Sequence, residues 1–129
     1  MIGVDVTHAM LDAAARAGHG GPARLLLADC ARLPLAAGAV HGIFAAGLLD
    51  HLPRPAAALR EWARVTAPGG ELLLFHPSGR AERAARHGRA VSPDDPLAEP
   101  NLRPALEAAG WHVATYEDAP THFLIRATR

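Results

Sequence analysis

Two aspartates each close an apolar run: Asp5 after Ile2-Gly3-Val4, and Asp29 after the run from Ala23 to Ala28. A carboxylate at the carboxyl end of a buried strand is placed to accept two hydrogen bonds from a ribose-type diol. On spacing alone, Asp5 serves equally well as a turn or cap residue. Asp50-His51 follows a third apolar run and has the residue types of a general base near a substrate hydroxyl or amine. Capping of a turn or lining of a pocket is the plainer role for that pair. His76-Pro77-Ser78 places a serine after a strand but lacks the Gly-x-Ser-x-Gly elbow of a hydrolase, so it reads as a loop. The eight histidines invite a metal search. No pair has helical i, i+4 spacing, and the single cysteine, Cys30, has no His or Cys at motif distance, so no metal site is expected.

The elements that must position these groups follow from periodicity. Ile2, Val4 and Val6 suit a short strand. Thr7 is expected to cap the next helix through its hydroxyl. Met10, Leu11, Ala14 and Ala15 give that helix an apolar stripe ending at Gly18. His19-Gly20-Gly21-Pro22 reads as a connector. Ala23 to Ala28 has the look of a strand buried on both faces, and Val40 to Ala46 is a third strand. Pro53 and Pro55 open a helix whose inner face is Leu59, Trp62, Ala63 and Val65-Thr66. Pro68-Gly69-Gly70 is expected to stop it with a tight turn before a strand at Glu71–Phe75. Ser78 to Arg89 reads as a helix with an arginine-rich solvated face, and Ala90 to Pro100 as loop. A short helix from Asn101 to Ala109 precedes strands at Trp111–Tyr116 and Thr121–Ala127, whose short connection predicts an antiparallel pair.

Strands separated by helices predict an α/β fold: a mostly parallel sheet with helices on both faces and an antiparallel hairpin at the C-terminal edge. The chain has 129 residues, enough for a single domain with a real core, and half of them are hydrophobic, which argues against disorder. The formal net charge is zero, so there is no electrostatic footprint for nucleic acid. The basic residues are all arginine, which together with heavy Ala, Gly and Pro usage looks like coding bias. No apolar run is long enough to span a membrane, and no signal peptide is expected. One cysteine allows no internal disulfide and fits a reducing cytoplasm.

The ordered set of motifs resembles the class I S-adenosylmethionine-dependent methyltransferases of the ubiquinone-biosynthesis-like, small-molecule type. Val4-Asp5-Val6-Thr7 with Met10-Leu11 is similar to that family's second strand and its ribose-binding acid. Ala28-Asp29-Cys30 with Leu33-Pro34-Leu35 is similar to the adenine-contacting segment. Leu48-Leu49-Asp50-His51-Leu52, then Pro55, Leu59, Glu61, Arg64-Val65 and Pro68-Gly69-Gly70-Glu71-Leu72, resembles the segment after the next strand and its helix. The resemblance covers residues 2 to about 77, with a weaker match at Leu106, Ala109-Gly110-Trp111 and Tyr116. It implies a Rossmann-like fold with S-adenosylmethionine at the carboxyl ends of the strands. Asp5 would hold the ribose hydroxyls, and Val6 and Met10 would press on the adenine. Asp29 would accept from the adenine amino group, with the Cys30 N–H beside it. Ala46 and Gly47 would line the methionine end. A small-molecule substrate would sit near Asp50, His51 and His76. No particular catalytic residue is implied, because methyl transfer from a sulfonium needs little beyond positioning and desolvation.

The chain departs from that pattern at its start. The family's first strand and glycine-rich loop have no counterpart here. That strand would sit between the strands at residues 2–6 and 40–46. Its loss leaves two rows of unpaired backbone groups, each costing on the order of 1–3 kcal/mol when buried. Together these compare with the whole stability of a domain, about 5–15 kcal/mol. The expectation is a domain lacking its N-terminal strand through a start placed too late. The alternative is a non-catalytic module in which a partner chain or a second copy completes the sheet. A lesser departure is His41, where the family usually carries an acid.

Overall fold

A computed structural model describes residues 1–18 and 21–129. His19 and Gly20 of the expected connector lie outside the described residues. The elements run in the order β1 (Ile2–Asp5), α1 (His8–Arg16), β2 (Arg24–Leu27), β3 (Val40–Ala46), a single 3-10 turn (Leu49–His51), α2 (Pro55–Val65), β4 (Thr66–His76), α3 (Arg80–Arg86), α4 (Glu99–Ala108), β5 (His112–Ala119) and β6 (His122–Thr128). The expected α/β class and the C-terminal antiparallel hairpin are both present.

The core forms where the apolar periodicities meet. On α2, Leu59, Trp62, Ala63 and Val65 are buried, at the spacing of one helical face. Leu72 and Leu74 of β4, and Phe123, Ile125 and Ala127 of β6, are buried at every second position, as one face of a sheet requires. Leu102 and Leu106 of α4 join the same cluster. Trp111, wholly buried, donates its indole N–H to the Leu59 carbonyl at 3.0 Å and so ties the start of the hairpin to α2.

The sheet is in two parts. β1 pairs with β2 in parallel, from Ile2 opposite Arg24 to Asp5 opposite Leu27. The second part has the order β3-β4-β6-β5, with β3 parallel to β4 and the other pairs antiparallel. Among the described residues, β1 and β3 each have a ladder partner on one side only. A cavity of about 880 Å³ opens between the two parts, lined by Ile2, Val4 and Leu25 on one side and Val40, Ile43 and Phe44 on the other. The break falls where the resemblance placed it.

Several local expectations are corrected. Thr7 occupies the N-cap of α1 but makes no side-chain cap bond. Its own N–H instead donates to Asp5 Oδ1 at 2.7 Å, so the acid before it orders the turn. β2 is not buried on both faces, and its Leu27 is 54% exposed, because it is an edge strand with β1 as its single neighbour. Thr66 belongs to β4 rather than α2, and its hydroxyl donates to the Trp62 carbonyl at 2.8 Å. Pro68-Gly69-Gly70 does not precede the strand but lies within it, as a bulge between the pairs Val40–Thr66 and Gly42–Glu71. A Cβ on Gly70 would stand 2.4 Å from the Thr66 methyl and 2.8 Å from the His41 carbonyl, so only glycine fits. The arginine-rich helix is shorter than expected, and β5 runs through Glu117-Asp118-Ala119 to a tighter hairpin.

Candidate functional site

The parallel register brings Asp5 and Asp29 to the same end of the two-stranded part. Asp5 lies opposite Leu27, and the Ala28 N–H donates to the Asp5 carbonyl at 3.0 Å, so the ladder delivers both chains to the same end. Each carboxylate organises its own turn with Oδ1. Asp5 takes the Thr7 N–H at 2.7 Å, and Asp29 takes the Ala31 N–H at 2.8 Å. Among the described residues no other donor reaches either carboxylate, which leaves Oδ2 of each available. Val6 and Met10 are 73% and 58% exposed, with no apolar partner covering them. Cys30 is half-buried, and burial, followed by the charge of Asp29, pushes its thiol pKa up.

A polar clamp fixes this segment against the core. Trp62 Nε1 donates to the Cys30 carbonyl at 3.0 Å. Glu61 accepts the Leu33 N–H at 2.7 Å, and Arg64 donates to the Leu33 carbonyl at 3.2 Å while pairing with Glu61 at 2.7 Å. The Arg64 hydrogen bond, set against the opposing effect of burial, holds the Glu61 carboxyl below its usual range, and the Leu33 N–H adds to it. The sequence reading placed Trp62 in the core and Glu61 and Arg64 in a motif, but not their hold on Cys30 and Leu33. The i, i+3 acid–arginine spacing was the available signal for half of it.

Ala46 ends β3 and Gly47 follows it. The Gly47 N–H donates to the Phe75 carbonyl at 2.9 Å, extending the parallel ladder. Gly47 has φ +56, and a Cβ there would lie 3.3 Å from His76 Cδ2, so the histidine ring packs where a larger residue would project. His76 Nδ1 receives the Ser78 N–H at 3.2 Å, with Ser78 Oγ at 3.1 Å. Nδ1 also stands 3.2 Å from the Ser78 carbonyl oxygen, so the ring packs against both backbone polar groups of Ser78. Ser78 is buried and serves to set this ring.

Asp50, His51 and His76 come together on one cavity of about 410 Å³. Asp5, Val6, Met10 and Asp29 do not line it. The sequence reading missed what encloses it. The helix expected to present a solvated arginine face turns inward: the Arg80 and Arg83 side chains are only 12% and 17% exposed. Arg80 pairs with Asp95 at 2.7 Å and Asp118 at 3.3 Å, and Arg83 pairs with Asp50 at 3.1 Å. The Arg83–Asp50 pair joins residues 33 apart in sequence, beyond the reach of any local pattern. Burial alone would lower the Arg80 pKa, but the hydrogen bond and charge of Asp95 outweigh it, and Arg80 stays charged. Among the described residues no three His, Cys, Asp or Glu side chains converge as a metal site would need, and no helix is long and apolar enough to cross a membrane.

Residues 1–74 match the model of a family described as a methyltransferase domain. An uncharacterized methyltransferase of Mycobacterium ulcerans is 34% identical over 104 residues, covering 68% of this chain. The chain spans only 41% of that relative's length. A SAM-dependent methyltransferase from Aquifex aeolicus superimposes with a TM-score of 0.77 at 21% identity, over 98% of this chain and 67% of that one. A chain from the complex of the Haloferax volcanii Trm112 methyltransferase activator with a methyltransferase gives a TM-score of 0.79 at 17% identity, over 98% of this chain and 70% of that one. Both structural likenesses show the Rossmann-like fold.

Proposed function

The chain belongs to the methyltransferase domain family, and on that premise we propose that it carries the adenosine-binding and acceptor-binding parts of an enzyme that methylates a small molecule in the cytoplasm. The cofactor is S-adenosylmethionine, which when bound supplies an electrophilic methyl group. The observation that carries this reading is the position of Asp5 at the carboxyl end of β1 and of Asp29 just beyond that of the adjacent parallel β2, each with one carboxylate oxygen left for a ligand. That is the crevice position at which open α/β sheets bind ligands.

The residues present fit the adenosine half of the cofactor. Asp5 would accept from the ribose hydroxyls and Asp29 from the adenine amino group, with the Cys30 N–H beside it. Val6 and Met10 offer the exposed apolar surface that an adenine face would cover. Ala46 and Gly47 would border the methionine end. Asp50, His51 and His76 line the acceptor cavity, where exclusion of water and orientation of the accepting atom supply most of what methyl transfer needs. Residues 1–129 make up a single methyltransferase-like domain whose sheet is completed by one more strand between β1 and β3.

The test is calorimetry with S-adenosylhomocysteine on a chain whose sheet has been completed by the upstream strand and loop. Binding is expected, and Asp5→Ala should weaken it about tenfold, the worth of a hydrogen bond to a charged group. An unchanged affinity in the variant sinks the assignment of Asp5.

The open edges of β1 and β3 and the apolar cavity between them favour a second reading: a non-catalytic module that pairs with a partner chain or a second copy. Unpaired strand edges are templates for such pairing. The Haloferax relative, solved with an activator, lends this reading support. It predicts an obligate assembly in sedimentation and no cofactor heat. A folded monomer that binds S-adenosylhomocysteine eliminates it.

A further inference from the structure

The cavity beside Asp50, His51 and His76 is lined by four arginines, Arg80, Arg83, Arg86 and Arg89, against two carboxylates, Asp50 and Asp95. Those two are committed to Arg83 and Arg80, and Asp118 from β5 gives Arg80 a second partner. Among the described residues Arg86 and Arg89 have no carboxylate partner, so the cavity keeps a surplus of positive charge. Arg83 is not saturated either. Its Asp50 bond uses one N–H, and its Nε is buried with no hydrogen-bond partner among the described residues. Its guanidinium carbon lies 5.8 Å from the centroid of the Phe123 ring, within cation–π range.

An arginine held by an acid on one side and an aromatic ring on another has lost most of its rotamer freedom before a ligand arrives, and a guanidinium fork matches an oxyanion. Desolvated cationic side chains with spare donors are unfavourable unless something occupies them. We propose that this cavity is a subsite for an oxyanion, a carboxylate or phosphate, carried by the methyl acceptor. The inference rests on the methyl-transfer reading above. Arg83 would orient the anion, while Arg86 and Arg89 would attract and close over it. His51 and His76 line the same cavity, so an acceptor anchored there would present its reacting atom near the carboxyl ends of β3 and β4.

The test titrates the intact chain with inorganic phosphate and, separately, with benzoate at fixed ionic strength, alongside S-adenosylhomocysteine. Saturable binding of at least one anion is expected, weakened about tenfold by Arg83→Gln and by Arg86→Gln, as removal of a charged hydrogen bond predicts. Arg16→Gln, at the end of α1, should leave it unchanged. Because Arg83→Gln also frees Asp50 and disturbs local packing, the exposed Arg86 and Arg89 variants carry the decision. If neither anion saturates, or if Arg86→Gln and Arg89→Gln both bind like the parent chain, the subsite is overturned even where S-adenosylhomocysteine binds. Anion binding without any S-adenosylhomocysteine binding supports the subsite and counts against the cofactor reading instead.

Discussion

Trp62 donates its indole N–H to the carbonyl of Cys30, 32 residues earlier, at 3.0 Å. The tryptophan ring is buried in the main core, whereas Cys30 directly follows Asp29 at the tip of the two-stranded part. The bond therefore ties the split sheet together at its candidate site. With Glu61 and Arg64 flanking Trp62 and gripping Leu33, α2 positions the segment that β1 and β2 cannot hold by themselves.

Replacing Trp62 by phenylalanine keeps most of the apolar bulk and leaves the Cys30 carbonyl without its donor. The expected cost is about 1–3 kcal/mol, the range for a polar group stripped of its partner. Urea denaturation reads that cost. Amide hydrogen exchange should show the second effect, faster exchange in residues 2–5 and 24–27 than in β4 and β6. Equal acceleration in all four strands would mean the bond stabilises the core without positioning the smaller part.

Gly70 makes a sharper local test. A methyl group there meets the Thr66 side chain, the His41 carbonyl and the Ala67 carbonyl at 2.4, 2.8 and 2.9 Å. Gly70→Ala should destabilise by about 1–3 kcal/mol through overpacking. Gly69→Ala faces open space and strains the backbone alone, at φ +77, for about 1–2 kcal/mol. The two urea midpoints, compared in one buffer, separate the contact from the dihedral.

That same bulge marks the limit of what local sequence shows. Pro68-Gly69-Gly70 carries strong turn chemistry, but pairing with β3 on both sides of it makes the segment a bulge inside β4 rather than a turn before it. Elements set by short-range periodicity were legible: Val40 to Ala46 as a strand, Pro55 as a helix start, Leu59 and Trp62 as core. Residues whose partners lie far along the chain were not. Arg83 reads as solvated because nothing within a helical turn reveals Asp50 or Phe123. Asp5 and Asp29 were visible as strand-end acids, since strand period and turn chemistry are both local. The hold of α2 on Cys30 and Leu33 depends on tertiary packing, and only the i, i+3 spacing of Glu61 and Arg64 left a short-range trace.

Glu61 gives the clamp a pH dependence with a fixed sign. The Arg64 hydrogen bond holds its folded-state pKa below the value it has in the unfolded chain. The stabilisation is thus fully present above the unfolded value of about 4.3 and is lost as pH falls through the lower folded value. Glu61→Gln keeps an acceptor for the Leu33 N–H but removes the titration. Thermal midpoints followed from neutral pH down to about pH 3 should fall more steeply in the parent chain than in the variant. Parallel curves would show that Glu61 contributes no proton-linked stability.

Cys30 reports on its neighbour with the opposite sign. Burial and, after it, the Asp29 charge raise the thiol pKa, so thiolate is scarcer at neutral pH than for a free cysteine, whose pKa is about 8.5. Because the thiolate is the nucleophile, alkylation by iodoacetamide should be slow in the folded chain, accelerate as pH rises into the alkaline range, and speed up at neutral pH in urea. Asp29→Asn removes the smaller of the two causes, so it should raise the rate modestly and leave most of the protection. If that variant reacts as fast as the unfolded chain, the charge rather than burial guards the thiol, and the packing of Cys30 under Trp62 must be looser than the 3.0 Å bond indicates.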